Sequence, residues 1–340
     1  MQPIKMLVLA LTGRCNFSCV YCYAEDYNCE QMSFEVAKQA INLAAKSGEE
    51  FVLQFSGGEP LLAFDLLREI ALYVEFEKIP AIMQLQTNGS LLTEYRANFL
   101  RTHHIGIGIS LDGRPKINDR MRLLKDGKGA TKAILKGIQV LQEQEIAIGI
   151  TCVVTNENVN ELSGIVEMAY YLGNVKKIGF DLLRCQGRGT FLRQPEEKAV
   201  AFGVTKAYDA ATQFAKLTGR TIQFAQIERA KILEKGRAAC FGHCYAMNGE
   251  AAFVDATGKI YACASLMEKE EFYIGDVATG IDAVRYKAVS EQIKKSMQFC
   301  FKCEDFALCG GGCFARWYGS GCTGAYKGEC ALKRISIARR

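Results

Sequence analysis

The sequence has no apolar run long enough to cross a lipid bilayer, which takes about 20 residues. Its net charge of +5 is small for 340 residues. The basic residues are scattered and do not form the stripe with interleaved aromatics that nucleic-acid-binding proteins carry. The N-terminal apolar run lacks a small-residue cleavage site and is interrupted by Arg14 and Cys15, as expected for a buried strand but not for a signal peptide. We expect a cytoplasmic protein that binds neither nucleic acid nor membranes.

Cysteine is abundant, with fifteen residues in a chain that is 49% apolar and can build an ordinary core. Disulfide frameworks belong mainly to short secreted chains, whereas clustered cytosolic cysteines usually bind metals or do redox chemistry. Eleven of the fifteen fall into three spaced groups. The others are Cys29, Cys152, Cys185 and Cys322. We expect Cys152 to be a core side chain, and for Cys185, just after a strand, a structural role is favoured over contact with substrate.

Short apolar runs alternate with amphipathic helical patterns along the first half of the chain. Strands are predicted at residues 5–11, 50–56, 81–87, 105–111, 146–155 and 177–183. Ser33 and Thr93 are placed to cap the helices that follow them. Six strand–helix units predict parallel strands with right-handed crossovers. Because a closed barrel of this kind has eight units, we predict an α/β fold with an open, partial (β/α)6 barrel.

The strand–helix pattern stops in the last third of the chain. We expect the barrel at residues 1–225, with a connecting helical segment to about residue 236. Residues 237–340 contain short turns, glycines and eight of the grouped cysteines. This composition predicts a small cysteine-rich domain held together by metal centres more than by a large core.

The first cysteine group follows the first predicted strand directly. Cys15, Cys19 and Cys22 can bind three irons of a [4Fe–4S] cube from one loop and leave the fourth iron open to a substrate or cofactor. A zinc site would need a fourth nearby ligand, and Cys29 is available, so zinc stays an alternative. The loop lies at the carboxyl end of a barrel strand, where such folds build active sites.

This CxxxCxxC spacing, with the aromatic Tyr21 before the third cysteine, resembles the signature of the radical S-adenosylmethionine (SAM) superfamily. Gly57, Gly58 and Glu59 follow the second strand within a Gly-Gly-Glu-Pro segment. Two glycines allow a close backbone approach to a ligand, and a carboxylate can accept hydrogen bonds from an ammonium group. The resemblance implies that this segment holds the amino group of SAM.

Small polar residues end the third and fourth strands. The resemblance implies that Asn88 lies on the same rim and that Ser110 and Asp112 lie near the ribose and methionine part of SAM. It assigns Arg122 to the SAM carboxylate, with Arg120 as the competing choice. The alternative for this group is local turn chemistry, because Asn-Gly and Asp-Gly are strong turn dipeptides.

The remaining grouped cysteines resemble the SPASM domain, the auxiliary-cluster module of radical enzymes that modify peptides and proteins. The resemblance implies one cluster held by Cys240, Cys244, Cys263 and Cys313. It implies a second cluster held by Cys300, Cys303, Cys309 and Cys330. A pair of zinc knuckles is the alternative, because spacings of two and three residues between cysteines are also typical of zinc sites.

The resemblance implies three [4Fe–4S] clusters and SAM as cofactors. SAM would be cleaved reductively to a 5′-deoxyadenosyl radical that starts the oxidation of a peptide or protein, with a thioether or carbon–carbon crosslink as the product. An electron donor such as flavodoxin or ferredoxin is implied, and a separate leader-peptide-binding protein is an option. No acid–base residue is evident.

Three other functions stay open at this stage. Formylglycine formation, as in anaerobic sulfatase maturation, is less favoured because Ala264 stands where those relatives have an aspartate. A radical dehydrogenase of a small molecule is a further alternative. A cluster-holding electron carrier is the last, and it would need none of the polar residues at the strand ends.

Overall fold

Six parallel strands follow one another through the first 182 residues, each hydrogen-bonded to the next in chain order. The computed structural model describes residues 2–25, 27–236, 241 and 244–340. The strands are β1 (Met6–Ala10), β2 (Phe51–Ser56), β3 (Ala81–Thr87), β4 (Gly106–Ser110), β5 (Ile148–Val154) and β6 (Val175–Leu182). All six predicted strands are confirmed, with bounds that differ by no more than about two residues from those expected from periodicity.

Helices connect the strands across the outer face of the sheet. They are α1 (Phe34–Ala45), α2 (Phe64–Phe76), α3 (Glu94–Thr102), α4 (Pro115–Met121), α5 (Thr131–Glu143), α6 (Leu162–Leu172), α7 (Glu197–Thr218) and α8 (Ala225–Gly236). The side chains of Ser33 and Thr93 accept hydrogen bonds from the backbone N–H groups three residues on, which confirms both predicted caps. None of the described helices is long and apolar enough to cross a membrane.

The sheet extends beyond the predicted strands at both ends. Strand β7 (Gln223–Phe224) pairs with β6, and β8 (Ala251–Val254) pairs in parallel with β1. Antiparallel β9 (Lys259–Tyr261), β10 (Tyr273–Asp276) and β11 (Gly280–Ile281) complete one eleven-stranded sheet. In the described part of the chain β7 and β11 are the two edges, so the barrel is open, as predicted.

Described residues 241 and 244–340 form the cysteine-rich module. Besides β8–β11 it contains α9 (Tyr245–Asn248), α10 (Ala283–Ser296), α11 (Phe306–Cys309), α12 (Phe314–Trp317) and α13 (Lys327–Ala338). Helix α13 packs on α7, where the hydroxyls of Tyr208 and Ser336 are 2.8 Å apart. Phe272 and Ile293 of the module belong to the same buried apolar cluster as the barrel. The module therefore has more core than its cysteine content alone indicated.

The two faces of the barrel strands differ in exposure. Along β2 and β5, buried residues that face the helices alternate with partly exposed residues that face inward. Parallel sheets are usually buried on both faces, and closed barrels fill their interiors with bulky side chains. The inner face here borders a cavity of about 330 Å³, which we call the barrel lumen.

Candidate functional site

Cys15, Cys19 and Cys22 lie together on the loop directly after β1 (residues 11–25, the cysteine loop). The backbone N–H of Phe17 donates to Cys15 Sγ at 3.4 Å, which fixes that thiol within the loop. Cys19 is buried, and Arg122 Nη1 lies 3.9 Å from its sulfur. The structure thus brings the three predicted ligands to the carboxyl rim of the barrel.

Burial raises the pKa of two thiols of the loop. It raises the pKa of Cys19 to about 12, although the nearby Arg122 acts in the opposite direction. Burial also raises the pKa of Cys15. Because the thiolate is the form that binds metals, metal binding at Cys15 and Cys19 is coupled to release of their protons.

The donor set fits an iron–sulfur cluster. Within residues 2–25, 27–236, 241 and 244–340, no three His, Cys, Asp or Glu side chains converge as ligands of a single metal ion do. The cysteine loop supplies three soft thiols, and the cysteines of a [4Fe–4S] cube each bind a different iron and are spread around it.

Tyr21, Asp112 and Arg122 form a buried group beside the cysteine loop. The Tyr21 hydroxyl donates to Asp112 Oδ2 at 2.5 Å, and Arg122 Nε lies 2.8 Å from the same oxygen. The other carboxylate oxygen accepts from the backbone N–H of Val153 at 2.8 Å. The Asp112 side chain is fully buried and that of Arg122 is 7% exposed. These side chains are paired with one another and hold Arg122 against the cysteine loop, and the contacts with SAM implied for Asp112 and Arg122 stay predictions.

The structure distinguishes the two candidate arginines. Arg120 points outward and lies 3.7 Å from Glu157 in a half-exposed ion pair. Arg122 lies over the Tyr21 ring, 5.3 Å from its centroid, and reaches the sulfur of Cys19. Of the two, Arg122 is the arginine that contacts the cysteine loop.

The Gly-Gly-Glu segment packs against the cysteine loop. A Cβ at Gly57 would lie 2.3 Å from the carbonyl oxygen of Thr12, and one at Gly58 would lie 2.4 Å from that of Arg14. The backbone N–H of Gly58 donates to Thr12 O at 2.8 Å. Both glycines therefore let this segment lie directly against the loop, and the approach to a ligand expected for them stays a prediction.

Glu59 is buried, and three donors of the chain hydrogen-bond its carboxylate. Its carboxylate accepts from the Thr87 hydroxyl at 2.6 Å, from Asn88 N–H at 2.8 Å and from Leu61 N–H at 3.0 Å. Burial raises its pKa even though these three hydrogen bonds act to lower it. Glu59 thereby ties the end of β3 to the segment after β2.

Asn88 and Ser110 lie on the same rim in different surroundings. The Asn88 amide donates to the side-chain oxygen of Asn16 at 2.9 Å, which joins the end of β3 to the cysteine loop. The Ser110 hydroxyl accepts from Gln86 Nε2 at 3.0 Å and is partly exposed. Sequence reasoning did not find Asn16, whose partner is 72 residues away.

Arg188 is a second site residue that the sequence did not reveal. It lies in the segment after β6, where its backbone N–H donates to Cys22 O at 3.0 Å. Its Nε donates to Cys19 O at 2.7 Å, and its Nη1 pairs with Glu25 at 2.9 Å. The preceding Gly187 has a φ of +51°, and a Cβ there would lie 2.5 Å from Cys22 O. The Gly187–Arg188 pair therefore closes over the cysteine loop from the opposite end of the barrel.

We expect Arg188→Ala to release a loop-bound cluster to a chelator about tenfold faster than the wild type, because a charged hydrogen bond contributes about 1.5 kcal/mol or more. The measurement is the loss of cluster absorbance after chelator is added anaerobically. Arg188→Lys keeps the charge near Glu25 but lacks the planar Nε donor, so its rate of cluster release should be closer to that of Arg188→Ala than to that of the wild type. Arg193→Ala, an exposed residue of the same segment, is the matched control. Equal release rates for Arg188→Ala and Arg193→Ala would contradict this assignment.

The structure brings Cys300, Cys303, Cys309 and Cys330 together around one cavity of about 60 Å³ in the cysteine-rich module. The backbone N–H of Gly312 donates to Cys300 Sγ at 3.4 Å. Burial raises the pKa of Cys330 to about 11 and also raises those of Cys300 and Cys309. These are the four cysteines that the resemblance assigned to one cluster.

Cys244, Cys263 and Cys313 form the other set. Burial raises the pKa of Cys244 to about 12 and that of Cys263 to about 11, and the charge of Cys313 acts on both in the same direction. Cys240, predicted as the fourth ligand, lies outside the described residues.

Buried ion pairs join these cysteine sets to the barrel rim. Glu329 accepts from the backbone N–H of Cys313 at 3.0 Å and pairs with Arg316 at 2.6 Å. Arg316 also pairs with Asp181 of β6 at 2.8 Å, and Asp181 pairs with Arg184 at 2.7 Å. Burial opposes ionisation of Asp181, but the two arginines hold its pKa below the ordinary value.

The four remaining cysteines have separate surroundings. Cys152 is fully buried in β5, as predicted, and Cys29 is exposed. Cys185 and Cys322 both line a cavity of about 670 Å³ at the junction of barrel and module. The histidines His103 and His104 lie at the end of α3, and His103 contacts Glu75 at 2.9 Å, away from the rim.

The chain combines a partial parallel barrel, a three-cysteine loop at the carboxyl rim of that barrel and a cysteine-rich module beside it. This combination defines a metallocofactor enzyme of the α/β class. The sequence model of the Radical SAM superfamily matches residues 9–169. An uncharacterised protein of Methanocaldococcus jannaschii is 34% identical over 266 residues, which are 77% of this chain and 86% of that protein. The chain belongs to the radical SAM superfamily, which implies a [4Fe–4S] cluster and SAM.

Two further similarities extend over the module. A serine-type anaerobic sulfatase-maturating enzyme of Klebsiella aerogenes is 26% identical over 355 residues, covering 96% of this chain and 84% of that enzyme. The solved structure of native anSMEcpe with bound AdoMet and Cp18Cys peptide superposes with a TM-score of 0.79 at 20% identity, covering 99% and 96% of the two chains. The predicted fold, a partial barrel followed by a SPASM-type module, is confirmed by this similarity.

Proposed function

We propose that this protein cleaves SAM reductively and uses the resulting radical to oxidise a peptide or protein substrate. The observation that carries the proposal is a contact between the two cysteine-bearing parts of the chain. The hydroxyl of Tyr27, just beyond the cysteine loop, donates at 2.5 Å to the carbonyl oxygen of Ala264, which directly follows Cys263. The cysteine loop and the Cys263 segment therefore lie side by side. A radical oxidation that removes two electrons from a substrate needs an electron acceptor close to the radical.

Cys15, Cys19 and Cys22 would hold the cluster that binds SAM, and the two module sets would hold two further clusters. When bound, the first cluster and SAM would supply a radical that takes a hydrogen atom from an unactivated C–H bond. The two further clusters would supply sites for the second electron. The residues of the chain fix the geometry: Arg188 and the Gly-Gly-Glu segment hold the loop, and Asp112 holds Arg122 against it. The surrounding core limits access of water and competing hydrogen donors.

For the product, we propose a thioether or carbon–carbon crosslink. Ala264, which directly follows Cys263, offers no acid–base group, and the Tyr27 hydroxyl donates to its carbonyl oxygen. Formylglycine formation is the second candidate, favoured by the similarity to the sulfatase-maturating enzyme. A small-molecule radical dehydrogenase is a third. Reduced flavodoxin or ferredoxin is the proposed electron donor, and a separate leader-binding protein is the proposed partner for a precursor peptide.

The test of the central step compares variants of the anaerobically reconstituted protein. The wild type should carry about twelve irons if three [4Fe–4S] clusters form, and it should convert SAM to 5′-deoxyadenosine once reduced. Replacing Cys15, Cys19 and Cys22 together by alanine should abolish 5′-deoxyadenosine and remove about four irons. Cys29→Ala, an exposed cysteine outside the groups, should change neither quantity. Continued SAM cleavage by the triple variant would overturn the proposal.

The substrate class needs a product analysis. Candidate precursor peptides encoded beside the gene are incubated with enzyme and SAM, and the products are analysed by mass spectrometry. A crosslink removes two hydrogens and leaves no aldehyde, whereas formylglycine is captured by a hydrazide reagent. An aldehyde adduct would select the sulfatase-type alternative, and no peptide product with intact SAM cleavage would favour a small molecule.

A further inference from the structure

Two cysteines that belong to none of the three cysteine sets lie at the junction of barrel and module. Cys185 lies just beyond β6, and Cys322 lies in the connection between α12 and α13. Both are free thiols and both are partly buried. They line the same cavity of about 670 Å³, which we call the junction cavity. The fold thus brings one thiol of the barrel and one of the module to a single opening.

The turn that leads to Cys322 packs directly on Cys185. A Cβ at Gly319 would lie 2.7 Å from the carbonyl oxygen of Cys185 and 4.0 Å from its Cβ, so glycine is required for this approach. The hydroxyl of Ser320 then accepts from the backbone N–H of Cys322 at 3.2 Å, which turns the chain back toward the cavity. Burial raises the pKa of the Cys185 thiol, and the charge of Cys322 acts in the same direction.

The two thiols differ in how firmly the chain holds them. Next to Cys185, the buried side chain of Gln186 donates to the carbonyl oxygen of Ala315 at 2.9 Å, which ties the segment after β6 to the module. Around Cys322, a Cβ at Gly321 or Gly324 would find no atom within 4 Å, so open space borders this turn. A glycine-rich turn beside open space can adopt the specific geometry that a disulfide requires.

The segment that carries Cys185 also holds the cysteine loop. Gly187 packs against the carbonyl oxygen of Cys22, and Arg188 donates to that of Cys19 at 2.7 Å. A covalent bond from Cys185 to the module would therefore restrain the same residues that close over the loop.

We propose that Cys185 and Cys322 form a reversible disulfide that joins the segment after β6 to the cysteine-rich module. One thiolate attacks an external low-molecular-weight disulfide and releases one half of it as a thiol; the second thiolate then attacks the mixed disulfide and releases the other half. The protein loses two protons and two electrons, and the external disulfide becomes two thiols. Oxidation fixes the segment that carries Arg188 and slows the loss of a cluster from the cysteine loop. The disulfide does not depend on the substrate proposed above.

The test treats the anaerobically reconstituted holoenzyme with oxidised glutathione, alkylates the remaining thiols and identifies linked peptides by mass spectrometry. The wild type should yield a peptide pair joined through Cys185 and Cys322, which dithiothreitol separates. Cys322→Ser should lose this pair and carry glutathione at Cys185. Cys29, which is exposed and does not line the junction cavity, is the internal control and should carry glutathione in both proteins.

The effect on the cysteine loop is measured as the loss of cluster absorbance after a chelator is added. The oxidised wild type should lose the loop cluster about tenfold more slowly than the reduced wild type, because a disulfide between distant parts of a chain restricts opening. Cys322→Ser treated with oxidised glutathione should lose it at the rate of the reduced wild type.

The outcomes separate this proposal from the proposed function. Cys185 and Cys322 thiols of the wild type that stay free or carry glutathione would overturn the disulfide. A linked pair with an unchanged rate of cluster loss would overturn its effect on the loop. Reduced Cys322→Ser should cleave SAM as fast as the reduced wild type. Absence of SAM cleavage from both would refute the proposed function and leave the disulfide result intact.

Discussion

Asp112→Ala should destabilise the protein by about 3–5 kcal/mol, the usual effect of leaving one partner of a buried ion pair without the other. The carboxylate is fully buried and lies 2.8 Å from Arg122 Nε. Its removal leaves a guanidinium that is 7% exposed without its anion, and also leaves Tyr21 and Val153 N–H without their acceptor. No water can replace that anion at comparable strength in such a site.

The measurement is the free energy of unfolding in urea for the iron-free protein, followed by circular dichroism. Asp126→Ala is the control, because Asp126 pairs with Lys128 at 2.9 Å on the surface and its loss should change little. Asp112→Asn keeps the shape and a hydrogen-bond acceptor, so it isolates the contribution of charge. Equal stability of Asp112→Ala and Asp126→Ala would show that Arg122 finds another partner.

The parts of this fold that sequence predicts are those with local causes. The strands follow from alternating and continuous apolar runs, and Ser33 and Thr93 cap their helices through neighbours three residues away. The cysteine loop is equally local, since three ligands lie within eight residues. The grouping of Cys300, Cys303 and Cys309 around one cavity also follows from short spacing.

The parts that sequence does not predict depend on distant partners. Arg188 contacts Cys19 across 169 residues, and Arg316 contacts Asp181 across 135. A single arginine carries no local sign of such a partner. The parallel pairing of β8 with β1 could not be predicted from the sequence either. Strand β8 has only four residues, and β1 was already accounted for as a strand of the predicted barrel. Gly57 was expected to let the backbone approach a ligand, and only the fold shows that the backbone of Thr12 lies against it.

If the two cysteine sets of the module hold clusters as proposed, Glu329→Ala should empty both and lower the iron content from about twelve to about four per chain. One carboxylate oxygen accepts from Cys313 N–H at 3.0 Å, and the other lies 2.6 Å from Arg316. The same residue lines the cavity of Cys300, Cys303, Cys309 and Cys330. Its side chain is 4% exposed, so alanine leaves a buried arginine beside one set and removes part of the wall of the other.

Iron and sulfide analysis of the reconstituted protein gives the count, and electron paramagnetic resonance of the reduced protein shows which cluster remains. Glu304→Ala, an exposed glutamate next to Cys303, is the matched control and should keep about twelve irons. Glu329→Gln retains an acceptor for Cys313 N–H but not the charge opposite Arg316, so an intermediate iron content would separate the two contacts. SAM cleavage should persist in Glu329→Ala, because the cysteine loop is held by Arg188 and the Gly-Gly-Glu segment. If Glu329→Ala retained all three clusters, the Glu329 carboxylate would stabilise only the polypeptide chain and would not be needed for the metal sites.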